Sequence, residues 1–370
     1  MTAHGADRDV VVVGGGIIGR AVAWQLALAG CDVELFDPDP SRAASLVAAG
    51  MLAPMTEATP EEGYLAALGM ASAARWPAFS EKLEDAAGRS VNFRSNGTLY
   101  VAADLDGLAD LEVFGGRLST MGLEVEWLTG ARCREREPLL VPTVRGGLFA
   151  AGDHVVEPRE VVAALTVAME RAGVTETRQP VRELADDGVA LADGSLRRAG
   201  HVVLAVGAWS GRLFDLPVHP VRGETLHLAR TDHHPGLVGN VRAVIDGQPV
   251  YLAPRGDGRL VVGSTMDERG FDLRTRVGPV RELLERARAI VPAIDEMELA
   301  EIAVGLRPGT PDNGPLIGEI RPGVIAATGH HRNGILLAPI TTDAVVAIVT
   351  GGDLDPAVKP FDPNRFAAVA

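Results

Sequence analysis

A glycine-rich turn at residues 14–19 constrains the fold of this chain more than any other feature of its sequence. The apolar run Asp9 to Val13 predicts a short buried strand, and an amphipathic stretch from Arg20 to Ala29 predicts a helix that ends at Gly30. A second strand is predicted at Cys31 to Phe36. Strand, turn, helix and strand in this order form a βαβ unit, whose two strands are parallel. The sequence therefore predicts an α/β fold with a Rossmann-like domain.

The turn has the spacing G-x-G-x-x-G. Gly14 permits the tight turn, Gly16 lets the backbone approach a pyrophosphate, and Gly19 lets the helix pack closely on the strand. The pyrophosphate would lie at the helix N-terminus near Ile17 and Ile18, where free N–H groups and the helix dipole favour anions. Asp37 follows the second strand and is a candidate acceptor for ribose hydroxyls. The motif predicts dinucleotide binding but does not choose between nicotinamide and flavin.

Composition excludes several classes of function. The chain has 370 residues, which is long enough for two domains. With 49 acidic and 35 basic residues its net charge is −14, so nucleic acid is not an expected partner. The two cysteines, Cys31 and Cys133, are far apart, which favours neither a disulfide framework nor a metal site and fits a reducing cytoplasm. No signal peptide or membrane span is expected.

The pattern along the rest of the chain predicts two interleaved domains. A capping box at Thr59 to Glu62 predicts the start of a helix, and short strands begin near Thr98. α/β character returns at Pro158, and a further run of β segments begins at Val218. We predict a discontinuous dinucleotide domain at residues 1–77, 153–217 and 303–370. Residues 78–152 and 218–302 are predicted to form a substrate domain on a mostly antiparallel sheet.

Four segments carry a resemblance to a known family. Ser45 to Pro54 reads S-x-x-A-A-G-M-L-A-P and resembles a segment of the glycine oxidases of bacterial thiamine synthesis, within the D-amino acid oxidase family. Residues 260–266, 304–310 and 329–339 are similar to the same family, in the same order along the chain. The resemblance implies that the dinucleotide is FAD. It also implies a flavin domain built from dispersed segments and a substrate domain with an antiparallel sheet, as the pattern predicts.

The resemblance also implies which residues bind the cofactor. Besides the glycine loop and Asp37, these residues lie beside the second strand, along the flavin ring, near the adenine and in the last turn: Pro38, Ala44, Ser45, Ala49, Gly50, Met51, Val181, Gly207, His330, His331, Arg332, Asn333, Gly334, Ile335 and Leu336. Residues 306–310 contain no cysteine where sarcosine oxidases attach their flavin. The FAD is therefore expected to be noncovalent.

Four residues are predicted to contact a small amino acid substrate. Arg307 presents a guanidinium fork suited to an α-carboxylate, and the resemblance gives it that role. Tyr251 matches a family tyrosine that touches the same carboxylate, Arg332 matches a second position near the substrate, and Met266 would form an apolar wall. One departure is visible, because Pro249 stands where relatives have a histidine.

The resemblance implies oxidative deamination of glycine, and of small amines or D-amino acids, by hydride transfer to flavin. Dioxygen would be the acceptor, and the products would be imine or glyoxylate, ammonia and hydrogen peroxide. The resemblance implies that the imine serves thiamine synthesis and that the protein forms a homo-oligomer, a tetramer in the family. The sequence leaves open a sarcosine or D-amino acid oxidase and a quinone-linked dehydrogenase. A noncatalytic redox sensor is the alternative from another class.

Overall fold

The computed structural model describes residues 7–58, 62–232 and 235–369. In this part of the chain the strands are β1 (Arg8–Val13), β2 (Val33–Phe36), β3 (Met51–Leu52), β4 (Thr98–Ala102), β5 (Glu126–Thr129), β6 (Gly146–Ala150), β7 (His154–Val155), β8 (Thr175–Thr177), β9 (Val181–Ala185), β10 (Gly188–Leu191), β11 (Leu196–Leu204), β12 (His219–Ala229), β13 (Asn240–Ile245), β14 (Gln248–Pro254), β15 (Leu260–Gly263), β16 (Glu298–Gly309), β17 (Leu316–Arg321) and β18 (Val324–Thr328). The α-helices are α1 (Ile17–Leu28), α2 (Gly63–Ala73), α3 (Trp76–Ala87), α4 (Leu105–Thr120), α5 (Gly130–Arg136), α6 (Pro158–Arg171), α7 (Ser210–Phe214), α8 (Val277–Ile290) and α9 (Ala338–Thr350).

The first sheet contains the βαβ unit. Its strand order is β17-β18-β11-β1-β2-β8, with the β9–β10 hairpin attached to β11. Strand β1 pairs in parallel with both β2 and β11, and the connection from β1 to β2 runs through α1, as predicted for the βαβ unit. Helix α1 packs against α6 and α9, and its buried Trp24 and Leu26 join one apolar core with Val10 and Val12. Burial of Val10 to Val13 in β1 and of all four residues of β2 agrees with the mostly apolar sequences of these strands, in which Glu34 is the buried exception.

The second sheet forms the other large layer. Its order is β16-β12-β15-β14-β13-β4-β6-β5, and every pair is antiparallel except β13 with β4. Helix α8 packs against it and contributes Leu283, Ala287 and Ile290 to a separate core. A two-stranded pair of β3 and β7 stands apart from both large sheets. The predicted α/β class, with a Rossmann-like unit and a mostly antiparallel second sheet, is confirmed.

Two of the predicted domain boundaries fall inside a helix or a strand. The boundary at 77/78 falls within α3, whose Phe79 and Leu83 belong to the core of the first sheet. The boundary at 302/303 falls within β16, which pairs with β12 along its whole length. If the domains are divided according to the two large sheets, the first boundary lies after α3 and the second lies at the end of β16. The division into two domains itself stays a prediction.

Two further predictions concern the start of α2 and the absence of a membrane-spanning helix. Of the predicted capping box, Thr59 to Glu61 lie outside the described residues, and α2 begins at Gly63. None of the helices in the described ranges combines the length and the apolar character needed to cross a membrane.

Candidate active site

A cavity of about 860 Å³ lies where the two large sheets meet. One side is formed by residues that follow β1, β2 and β11, and the other by side chains of β12, β14 and β16. The carboxyl ends of parallel strands are the usual place for a nucleotide in such a sheet. Every predicted site residue lines this cavity except Gly19, Asn333 and Leu336.

The glycine loop forms one end of the cavity, and each glycine has a separate steric reason. A Cβ on Gly14, whose φ is +107°, would lie 2.3 Å from the carbonyl oxygen of Ala205. A Cβ on Gly19 would lie 1.9 Å from the carbonyl oxygen of Gly14, so Gly19 supports the loop from behind. At Gly16 the nearest atom is 3.8 Å away, the hydroxyl of Ser45, which leaves the space open on the cavity side. The steric conflicts at Gly14 and Gly19 agree with a tight turn and close packing, and the approach of a pyrophosphate at Gly16 stays a prediction.

Two charged side chains hold the loop in place. Asp37 accepts hydrogen bonds from the backbone N–H of Gly15 at 2.7 Å and of Asp39 at 2.9 Å, while still lining the cavity. Its predicted contact with ribose stays a prediction. Arg20, only 2% exposed, donates to the carbonyl of Gly15 at 2.8 Å and forms a bidentate ion pair with Glu176. The sequence analysis did not find Arg20, although an arginine on the apolar face of a helix is the signal for a buried ion pair.

Residues 49–51 line the cavity. Gly50 has φ +72°, and a Cβ there would lie 2.2 Å from the carbonyl oxygen of Val156. Arg255, which is buried, donates to the carbonyls of Ala49 at 2.5 Å and Val156 at 3.0 Å. Burial lowers the pKa of this guanidinium, and nearby Glu157 opposes that shift. Arg255 thereby fixes the backbone of this segment beside the cavity.

The turn before α9 closes the opposite side. His330 shares a 2.9 Å hydrogen bond with Thr341, and burial lowers its pKa to about 3. His331 lines the cavity with 9% exposure, and neither ring nitrogen has a hydrogen-bond partner among the described residues. Burial, together with Arg332 and Arg307, lowers its pKa to about 4. His331 is thus a neutral imidazole beside the cavity, and its two ring nitrogens are buried without a partner among the described residues.

Asn333 and Leu336 lie behind this turn, beside a second, much smaller cavity. The Leu336 carbonyl accepts hydrogen bonds from Ser72 at 2.6 Å and from Trp76 at 2.9 Å, which fixes the start of the helix. Their side chains therefore do not line the main cavity, and any contact with a cofactor would come from the backbone.

Arg307 and Tyr251 come together on the wall formed by the second sheet. The Arg307 guanidinium donates to the Ser264 hydroxyl at 2.8 Å and to the Thr265 carbonyl at 3.1 Å. It lies so close to Gly223 that a Cβ there would be 2.0 Å from Nη1. Burial lowers the pKa of Arg307 and raises that of Tyr251, and each of the two groups opposes the shift of the other. A fixed cation beside a phenol is a built anion site.

Arg332 belongs to an ion-pair cluster on the same cavity. It binds Glu62 at 2.5 Å, and its Nε lies 3.6 Å from Glu57. The other oxygen of Glu57 binds Arg242 at 2.7 Å. The sequence analysis found neither Glu57 nor Arg242, although Glu57 follows the family-like segment that ends at Pro54.

The remaining predicted residues lie along the two ends of the cavity. Val181 and Gly207 line it beside the glycine loop, and Gly207 has φ +55° with open space where a Cβ would be. Met266, which is 67% exposed, and Pro249 line the end at the second sheet. Both cysteines are free, and neither lines the cavity. The described residues contain no cluster of three or more metal-ligating side chains.

The cavity fits FAD in shape and chemistry. Three features line it: a helix N-terminus suited to an anion, the Gly50 backbone, and His331. The ring nitrogens of His331 are buried and have no hydrogen-bond partner among the described residues. Fold and site together define a dinucleotide-dependent oxidoreductase built on two large sheets. The chain belongs to the DAO family, described as FAD dependent oxidoreductase, whose model matches residues 9–348.

Individual relatives agree with this family. The chain is similar to glycine oxidase from Geobacillus kaustophilus, with 33% identity over 96% of this chain and 97% of that protein. The crystal structure of glycine oxidase from that organism has a TM-score of 0.90, 32% identity, and coverage of 97% and 98% of the two chains. The chain is also 32% identical over 97% of its length to the bifunctional protein ThiO/ThiG of Nostoc sp.. It spans about half of that bifunctional relative (55%). The resemblance found in the sequence is confirmed.

Proposed function

We propose that the protein is a glycine oxidase, which converts glycine, dioxygen and water to glyoxylate, ammonia and hydrogen peroxide. The observation that carries this proposal is the placement of Arg307 and Tyr251 on the wall of a cavity that begins at a dinucleotide loop. The names of the relatives in Geobacillus kaustophilus and other bacteria support the substrate.

The residues of this chain would perform binding and orientation. Arg307 is already held by Ser264 and Thr265, so little side-chain entropy is lost when it grips a carboxylate. Tyr251 would donate its phenolic proton to the same carboxylate, because its raised pKa keeps it protonated at neutral pH. When bound, FAD supplies the hydride acceptor and passes the electrons to dioxygen.

The cofactor would be held noncovalently by the residues already described. The glycine loop would bind the pyrophosphate, residues 49–51 would line the ring, and Val181 would lie near the adenine. The turn from His330 to Ile335 would complete the flavin contacts. The absence of a cysteine from the residues that line the cavity supports a noncovalent link.

The proposal includes a metabolic role, a location in the cell and an oligomeric state. We infer a role in supplying the glycine imine for thiamine synthesis, which rests on the family resemblance and on the ThiO/ThiG relatives. A cytoplasmic location rests on the two free cysteines. A homo-oligomer, with a tetramer as the family state, rests on the resemblance alone.

A substrate panel tests the proposal. Hydrogen peroxide release is measured with glycine, sarcosine and D-alanine at equal concentrations. The proposal predicts turnover of glycine at a rate comparable to or above the other two. Turnover of D-alanine or sarcosine without glycine would replace the assignment with the corresponding oxidase, and amine-dependent reduction of a quinone without peroxide would indicate a dehydrogenase.

A further inference from the structure

A charged cluster on the cavity wall joins Arg332, which has a predicted role beside the substrate and flavin, to three residues without a role in the proposed reaction. It consists of Glu57, Glu62, Arg242 and Arg332, and we call it the Glu57 cluster. Three of its members, Glu57, Arg242 and Arg332, line the main cavity, whereas Glu62 lies beside the smaller one. Arg242 and Arg332 are thus two further cations on the cavity that holds the proposed carboxylate site of Arg307.

The register of the second sheet places Arg242 next to the substrate wall. Arg242 lies directly opposite Tyr251 in the antiparallel pair of β13 and β14. Directly opposite residues in such a pair project from the same face with Cβ atoms about 5 Å apart. Arg242 therefore stands beside the tyrosine that would bind the substrate carboxylate, and it is the natural partner for a second anionic group.

Glu57 already occupies that partner position. One of its oxygens binds Arg242 and the other faces Arg332, so one carboxylate serves two guanidinium groups. With Arg307 included, the wall carries three arginines and two glutamates, which leaves one net positive charge. That charge matches a substrate with a single carboxylate.

The position of Glu57 is fixed by a buried aspartate. Asp153 is fully buried and accepts hydrogen bonds from the backbone N–H groups of Met55 at 3.0 Å and Thr56 at 3.3 Å. It also accepts one from the Thr56 hydroxyl at 2.5 Å. Asp153 thus holds the backbone of the turn immediately before Glu57, and the ion pairs with Arg242 and Arg332 hold its carboxylate.

We propose that Glu57 determines substrate specificity by serving as the internal counter-ion of Arg242 and Arg332, so that the site accepts monocarboxylate amines and rejects dicarboxylates. This inference rests on the proposed function for its choice of substrates. A diacid would have to displace Glu57 from both arginines or lie unpaired beside it. Without the Glu57 charge, Arg242 becomes available to a second carboxylate.

The test compares Glu57→Gln with wild-type holoenzyme on glycine and iminodiacetate. The ratio of kcat/KM for iminodiacetate to that for glycine should rise at least about 10-fold, the gain expected for one charge-assisted contact. Glu282→Gln is the matched control, because Glu282 also lines the cavity but pairs with Arg286 at 3.0 Å and not with the Glu57 cluster. Its ratio should change less than about 3-fold.

A second measurement separates this inference from the proposed function. The binding of malonate and of acetate is followed through the absorbance spectrum of the bound flavin, which requires no turnover. Glu57→Gln should tighten malonate relative to acetate by at least about 10-fold. Unchanged ratios in Glu57→Gln, or an equal shift in Glu282→Gln, would overturn the counter-ion role. A wild-type protein that binds acetate but does not oxidise glycine would instead defeat the proposed function.

Discussion

Removal of Arg307 should abolish productive binding of the substrate carboxylate while the cofactor stays bound. The guanidinium offers two N–H groups to one carboxylate, and each charge-assisted hydrogen bond contributes about 1.5–3 kcal/mol. Arg307→Ala therefore loses about 3–6 kcal/mol of transition-state stabilisation, which is about a 10²- to 10⁴-fold loss in kcat/KM. Arg307→Lys keeps the charge but loses the fork, so its loss should be intermediate.

The assay is steady-state peroxide release with glycine, combined with the flavin-to-protein absorbance ratio. Arg269→Ala serves as the control, since Arg269 lines the same cavity but is half exposed and pairs with Asp267 at 2.9 Å. Its kcat/KM should change less than about 3-fold. A loss below about 10-fold in Arg307→Ala, or one equal to that of Arg269→Ala, would refute the assigned role of Arg307.

Three other predictions follow from the positioning contacts. Gly223→Ala should raise KM for glycine without loss of flavin, because the new Cβ would lie 2.0 Å from Nη1 of Arg307; an unchanged KM would contradict this placement. Arg20→Met should lower the free energy of unfolding in urea by about 3 kcal/mol, since it removes the buried partner of Glu176 and the hydrogen bond to the Gly15 carbonyl. Arg178→Met removes the exposed partner of the same glutamate and should cost less than about 1 kcal/mol; equal losses would count against the buried pair. Burial lowers the pKa values of His227, His330 and His331 to about 4, 3 and 4, so the folded protein binds fewer protons than the unfolded chain. Stability is then full above pH about 6.5 and falls as the pH drops towards 4, by about 2 kcal/mol per histidine at pH 5. Asp153, whose pKa burial raises to about 6, opposes this trend by a smaller amount, and equal free energies of unfolding at pH 5 and 7.5 would contradict the burial of the histidines.

The Rossmann-like unit could be predicted because its signals are local. Three glycines, a buried strand and an amphipathic helix lie within 30 residues, and the steric conflicts at Gly14 and Gly19 show why no other residue fits. Arg307 and Tyr251 were found because the family resemblance reaches both segments. Their common position on one wall depends on the pairing of β12 with β16 and of β14 with β15, which is not a local signal.

The Glu57 cluster is a part of the site that the sequence did not predict. The sequence predicts a run of β segments from Val218 without separating β13 from β14, and the structure has these two strands joined at Asp246 and Gly247. Both turn residues have positive φ, as the Asp-Gly pair in a type I′ hairpin requires, so that dipeptide could have indicated the turn. With the turn in place, Arg242 falls opposite Tyr251. The pairing of Arg242 with Glu57 joins residues 185 positions apart and could not be read from either segment.

The most direct test of the account is the anaerobic addition of glycine to the purified protein. The account predicts a yellow protein with noncovalently bound FAD, whose absorbance near the flavin maximum bleaches on addition of glycine and returns when oxygen is admitted with release of hydrogen peroxide. A flavin-containing protein whose spectrum glycine leaves unchanged would contradict the proposed reaction, and a colourless protein that takes up no FAD would contradict the account of the site.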